Sequence, residues 1–416
     1  MLTPLNSSPR PLRLLYLGFA FPPGVAALNP GVNPAGHAFE TQMLAELRER
    51  FEVRSTGVLP VEPPVIEDAD PSSGVPHDLI LLEKPPELFH RLRSLACLKS
   101  QYRRWLSGGW APDLVLVYNL SPIYNQFLIW LRKHPRCPKL VLLLLDSPGL
   151  GVPTPRWKNF RRRLKPMYTP DSEMICRFDA CVGLSKTTAQ YFRPRGVPFL
   201  WMPGGCTPSR ARSGNDRRRE TDGSLRLGYF GSLADHAGVR PLVETVLTTE
   251  VLASLEICGY GKFDSKLGAL AAESGRIKFH GLLTPDSCLS FGRSCDVLVN
   301  PRPASYGNEN NFSSKLFDYA LAGRAILTSN LSGVEDVLGP DAFYFNAEDF
   351  HHSLRQSLHE LSTLGRTELE RRGAAVQQRV TSQFSWTSQG ARLVAFLSQV
   401  CIAQSNRQDR AEAMAA

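Results

Sequence analysis

Between residues 300 and 319 the chain gathers Asn300, Arg302, Asn308, Glu309, Asn310, Asn311, Ser313, Ser314, Lys315 and Asp318. Ser313 and Ser314 are natural N-cap residues for a helix that the apolar spacing predicts from about Lys315. Free backbone amides at a helix start, together with the helix dipole, favour a phosphate. Lys315 adds a mobile positive charge and Arg302 a second cation. Asp318 lies about one turn further along, where a carboxylate can accept hydrogen bonds from two hydroxyls of a ribose. A Ser-Ser-Lys helix start by itself is an ordinary capped helix. Arg302, Asn310, Asn311 and Asp318 in the same loop–helix unit turn it into a candidate site for a pyrophosphate and a pentose.

Such a loop must be held by a strand before it and a helix after it. Residues 297–300 read as a buried strand, 314–322 as a helix and 325–329 as the next strand. The same alternation runs along the chain. Strands are predicted at 12–19, 114–118, 140–145, 178–184 and 199–202, with helices at 37–51 and 185–192. Residues 209–224 are polar, charged and aperiodic, as a linker should be. Strands at 225–230, 252–258 and 277–280 follow, with helices at 240–247, 265–273 and 285–293. Helices at 350–361, 368–380 and 388–400 close the chain, and the polar residues 404–416 are expected to be a disordered tail. Apolar strands joined by helices predict two parallel α/β sheets, which bind ligands at the carboxyl ends of their strands. The expected domains are 1–208 and 225–387.

With 416 residues, 43% of them hydrophobic, the chain can bury a large core. The net charge of +9 suits anionic partners or simply solubility. Basic residues cluster at Arg161, Arg162, Arg163 and Lys165 and at Arg217, Arg218 and Arg219, without interleaved aromatics, so no nucleic-acid partner is expected. The first cluster reads as a solvated face, with peripheral contact to a membrane as the alternative. Nine cysteines without metal-ligand spacing read as small buried hydrophobes in a reducing, cytoplasmic compartment. No apolar stretch reaches the ~20 residues of a membrane span, and no signal peptide is apparent. Asp68 and Asp70 sit in a Pro-rich loop without a buried strand before it, so no metal site is expected there. Leu17 to Pro22 lacks a G-x-G-x-x-G pattern, against a dehydrogenase. His280, at a strand end, reads as a satisfied structural histidine.

The segment Asn311-Phe312-Ser313-Ser314-Lys315-Leu316-Phe317-Asp318-Tyr319, continuing to Gly323-Arg324-Ala325-Ile326, resembles the donor-site segment of retaining glycosyltransferases of family four. Asn300-Pro301-Arg302 is similar to bacterial polysaccharide members of that group. Gly228 to Leu233 resembles the first strand and turn of the donor domain, Ile257 to Gly261 its next strand end, and Phe279-His280-Gly281 the strand end beside the nucleobase. Phe384-Ser385-Trp386 resembles the start of the helix that returns to the N-terminal domain.

The resemblance implies a GT-B architecture of two facing Rossmann-like domains. It implies a metal-independent transferase that moves a hexose from a nucleotide diphosphate sugar, with retention, to a glycan, lipid-linked or small-molecule acceptor. No cofactor is implied beyond that co-substrate. Lys315, Arg302 and Asn310 would serve catalysis. Gly231, Ser232, Gly259, Gly281, Asn311, Phe312, Ser313, Ser314, Leu316 and Asp318 would bind the donor. Gly36, His37 and Asp146 would line the acceptor cleft. Ser232 and Ala237 stand where the family usually has Arg and Lys, which leaves the diphosphate to Lys315 and Arg302 or to backbone amides. A nucleotide-sugar epimerase and a non-catalytic partner subunit remain alternatives.

Overall fold

A computed structural model describes residues 10–18, 20, 34–61, 80–83, 87–119, 121–145, 175, 177–211 and 224–415. The chain forms two compact units. One comprises Met1–Leu184, Thr188–Met202 and Gly390–Ala416, the other Ser185–Thr187 and Pro203–Gln389.

The first unit holds six parallel strands: β1 (Arg13–Leu17), β2 (Glu52–Thr56), β5 (Leu114–Tyr118), β6 (Lys139–Leu144), β7 (Ala180–Gly183) and β8 (Phe199–Trp201). Their order is β2-β1-β5-β6-β7-β8, and a separate parallel pair joins β3 (Val58–Val61) to β4 (Ile80–Glu83). Helices α1 (Pro34–Arg48), α2 (Glu87–Ser107) and α3 (Pro122–Leu131) belong to this unit. Leu114 to Val117 and Leu140 to Leu143 are fully buried, as strands covered on both faces require.

The second unit repeats the plan. Strands β9 (Leu225–Ser232), β10 (Ala253–Tyr260), β11 (Ile277–Phe279), β12 (Val297–Asn300), β13 (Ala325–Ser329) and β14 (Phe343–Phe345) run parallel in the order β11-β10-β9-β12-β13-β14. Leu227, Tyr229, Leu255, Ile257, Val297, Val299 and Leu327 make the centre of its core. Each such side chain contributes roughly 1.5–3 kcal/mol by leaving water. Helices α4 (Val239–Thr248), α5 (Asp264–Glu273), α6 (Pro285–Ser294), α7 (Lys315–Ala322), α8 (Phe350–Thr363) and α9 (Arg366–Gln383) flank it. Gly323, left-handed at φ 68°, ends α7.

In both sheets the strand order reverses beside the first strand of the unit, between β1 and β5 and between β9 and β12. A crevice at the carboxyl edge of such a reversal is where open α/β sheets take ligands.

The α/β class and the parallel sheets follow the sequence expectation. β2 and β14 were not anticipated, because Glu-Val-Arg-Ser-Thr has no apolar run and Phe-Tyr-Phe is only three residues long. The last helix, α10, spans Trp386–Ala415 and so carries a helical backbone through residues expected to be disordered. Its Ala, Gln, Arg and Glu are good helix formers despite their polarity. The described cysteines are all unpaired, and Cys181, Cys206, Cys258 and Cys295 are buried.

Candidate functional site

The β9–β12 reversal places the ends of two strands side by side, and α7 starts above them. Asn300, fully buried at the end of β12, fixes that start. Its Nδ2 donates to Thr328 Oγ1 at 2.9 Å, and its Oδ1 accepts from Ser313 Oγ at 3.2 Å. Ser313 is therefore tied to the sheet instead of capping the helix. Ser314 holds the N-cap position with helical φ and ψ and makes no side-chain cap bond. Of the two serines expected as N-caps, Ser314 stands at that position without a side-chain cap bond, and Ser313 is drawn to Asn300. Phe312 and Leu316 point into the core, where Phe312 meets Phe317 at 5.5 Å between ring centroids. Both are buried and help to seat the helix.

Lys315 reaches back over the end of β9. Its Nζ donates to Tyr229 Oη at 2.7 Å and lies 4.4 Å from the centroid of that ring. Tyr229 Oη in turn donates to the Ser232 carbonyl at 2.5 Å. Gly231 leaves room for the amine: at φ 143°, a Cβ there would lie 3.1 Å from Lys315 Nζ. Gly259 serves Gly231 directly, since a Cβ on it would stand 1.9 Å from the Gly231 carbonyl oxygen. The Gly259 amide donates to the Gly281 carbonyl at 2.8 Å, which joins three of the anticipated glycines in one backbone cluster. Ser232 is exposed, and its Oγ accepts from the Ala234 amide at 3.3 Å.

Burial first, and the Arg302 charge second, bring the Lys315 pKa down to about 7. Among the described residues no carboxylate pairs with its amine. Arg302 is itself buried. A third group joins them that the sequence did not reveal. His236 has its pKa lowered by burial and then by Arg302 and Lys315, against a smaller opposing pull from Asp235. The turn carrying His236 is locked to the Arg302 loop. Asn308 Nδ2 donates to the His236 carbonyl at 3.1 Å and to the Pro303 carbonyl at 2.8 Å. Three groups that disfavour one another's charge thus share one place, the electrostatic pattern of an anion site.

Asn310 is buried, with its Nδ2 on the Tyr306 carbonyl at 2.9 Å and its Oδ1 2.9 Å from Thr187 Oγ1. Ser185 Oγ donates to the Glu309 carbonyl at 2.9 Å. These contacts fix the loop. Asn311 is half-buried beside it. Asp318, one turn into α7, faces Arg210, whose Nη1 donates to its Oδ1 at 3.2 Å. Desolvation raises its pKa, and Arg210 opposes the rise.

Gly36 and His37 lie in the first turn of α1, in the first unit. Asp146, the Asp68–Asp70 pair, Arg161 to Lys165 and Arg217 to Arg219 lie outside the described residues. His280 is satisfied as expected, its Nε2 lying 2.8 Å from Glu256 Oε2. Among the described residues no helix is long and apolar enough to cross a membrane.

The profile of the family described as glycosyl transferases group 1 matches residues 224–363, within the second unit. Comparison with curated proteins gave no match. Among solved structures, sucrose-phosphate synthase from Thermosynechococcus elongatus is similar at TM-score 0.71 and 13% identity, covering 94% of this chain and 100% of that one. HepE from Anabaena in complex with UDP and glucose is similar at TM-score 0.63 and 13% identity, covering 93% and 100%. The E. coli trehalose-6-phosphate protein bound with UDP-2-fluoro glucose is similar at TM-score 0.66 and 13% identity, covering 94% and 99%. At these identities the likeness shows the fold, which is that of GT-B glycosyltransferases.

Proposed function

We propose that the chain is a glycosyltransferase that uses the second unit to bind a nucleotide diphosphate sugar. It moves the hexose, with retention, to a glycan, lipid-linked or small-molecule acceptor. The observation that carries this reading is the Lys315 amine at the end of β9, beside buried Arg302 and above Gly231. The glycosyl transferases group 1 profile over residues 224–363 supports it, as do the neighbours solved with UDP and glucose or with UDP-2-fluoro glucose. Bond cleavage leaves negative charge on the diphosphate. Fixed cations in a poorly hydrated place stabilise that charge more than they stabilise the bound donor, which is what lowers the barrier. Lys315 takes up a proton as the anion arrives, because a nearby diphosphate favours its charged form. Asp318 holds the ribose hydroxyls. The acceptor side is assigned to the first unit, with Gly36, His37 and Asp146 as its candidate residues.

The test is a thermal-shift and calorimetric screen of UDP-, GDP- and TDP-sugars, followed by transfer assays, since a ligand bound to the folded state raises the melting temperature. Asp318→Ala should weaken donor binding by about 10–100-fold, the scale of hydrogen bonds to a charged group. Unchanged binding in that variant would count against the site. Binding without turnover would favour a partner subunit, and an epimerised donor formed without acceptor would favour an epimerase.

A further inference from the structure

The Asp318 carboxylate does not stand free at the mouth of its helix; a guanidinium already addresses it. Arg210 belongs to a short helical turn, Pro208–Ala211. Its Nη1 is 3.2 Å from Asp318 Oδ1, while its Nη2 is 3.5 Å from the Pro285 carbonyl and 3.6 Å from Asp286 Oδ1. The backbone of the turn is pinned as well. Arg293 Nη2 donates to the Arg210 carbonyl at 2.9 Å, and Arg324 Nε donates to the Arg293 carbonyl at 2.7 Å. One guanidinium therefore bridges α7 and the first turn of α6, with its own main chain fixed by a second arginine. The pair is partly open, with the Arg210 and Asp318 side chains 35% and 42% exposed. A ligand can thus still reach the carboxylate.

Only Oδ1 of Asp318 is engaged by Arg210. A carboxylate held by one oxygen keeps lone pairs for two further donors. Desolvation raises the carboxyl's pKa, and the Arg210 charge opposes that rise and so favours the ionised form, the stronger acceptor. On the nucleotide-site reading above, we propose that Arg210 is the positioning residue that lets Asp318 recognise a ribose, so that this pair sets the preference for ribonucleotides over 2′-deoxyribonucleotides. Asp286, 95% exposed at 3.6 Å, adds little. The anchoring contact on that side is the Pro285 carbonyl.

The experiment measures calorimetric affinities of UDP, GDP and TDP, each as the ribonucleoside diphosphate and as its 2′-deoxy counterpart. The proteins are wild type, Arg210→Gln, Arg210→Lys, Asp318→Asn and the double variant Arg210→Gln/Asp318→Asn. Wild type should prefer the ribo form about tenfold or more, the scale of one hydrogen bond to a charged acceptor. Arg210→Gln and Asp318→Asn should each bring that ratio close to one, and the double variant should lose no more than either single variant. Arg210→Lys should keep part of the preference. A purely structural loss would weaken ribo and deoxy ligands equally and leave the ratio intact, which would overturn the proposal. Tighter ribonucleotide binding by Arg210→Gln would also overturn it, because the arginine would then compete with the sugar. If wild type binds none of the diphosphates, the donor-site reading itself fails and takes this one with it. If it binds them without a ribo preference, only the role given to Arg210 and Asp318 falls.

Discussion

Both sheets reverse their strand order beside their first strand, yet the two reversal points are furnished in opposite ways. At the β1–β5 reversal the side chains satisfy one another. Tyr16 Oη donates to Glu40 Oε2 at 2.5 Å, and Tyr124 Oη reaches the Gly18 carbonyl at 3.4 Å. Tyr16, Tyr124 and Glu40 are buried. The Tyr16 and Tyr124 pKa values are raised, by burial first and by the Glu40 charge next. A Cβ on Gly18 would fall 2.4 Å from the Tyr16 ring. At the β9–β12 reversal the groups are cationic or cation-capable, and the Lys315 amine donates to a phenol. Strand order makes both edges possible ligand sites. Among the described residues, side-chain charge favours an anion at the second one.

The strongest way to break this contrast is Lys315→Ala. Removing one preorganised cation from the leaving group should lower kcat/KM for transfer by about 10²–10³-fold, read from initial rates on the donor that the screen identifies. A loss under tenfold would move the site elsewhere.

Tyr16→Phe probes the first reversal. It strips a hydroxyl donor from buried Glu40 and should cost about 1–3 kcal/mol of unfolding free energy, measured by denaturant titration. Nucleotide affinity should be unchanged. A variant that folds stably but loses nucleotide binding would erase the distinction between the two edges.

Proton linkage sharpens the second reversal. The Lys315 pKa is about 7 in the folded protein, against 10.5 for an ordinary lysine. The unfolded chain therefore binds more protons between those values, and this residue makes stability rise with pH across that window. Its destabilising effect is fully present below about 7. Lys315→Met should accordingly raise the melting temperature at pH 7 and lose that advantage toward pH 10.5. An anion pulls the folded pKa upward, so wild-type affinity for a nucleoside diphosphate should fall as pH rises above about 7, by at most roughly tenfold per pH unit for one linked proton. Calorimetry across pH should show this slope, and Lys315→Met should flatten it.

The smallest effect is expected from His236→Gln. It keeps a hydrogen-bonding group while removing the titratable ring, so nucleoside diphosphate affinity at pH 7.5 should change only about twofold to fivefold, on the scale of a neutral hydrogen bond. As pH falls and the wild-type ring gains charge beside the anion, the difference should widen.

Much of this was written locally. Apolar runs such as Val297-Leu298-Val299 and the helical spacing of Leu316, Phe317 and Ala320 announce strand and helix wherever they are placed. Lys315 and Asp318 share one short helix, so their types and separation could be read directly. Period and spacing depend only on neighbours along the chain. The sequence thus determined two α/β units, the loop–helix with its cation and carboxylate, and the glycines at the strand ends. The partners were not local. Tyr229 meets Lys315 across 86 residues, Arg210 meets Asp318 across 108, and Asn308 ties down the turn of His236 across 72. Ser313 looked like a cap because its real partner, Asn300, sits at the end of another element. Tertiary structure decided which charges stand together and how dry they are, because burial and Coulomb interaction depend on distances in space that no spacing along the chain encodes.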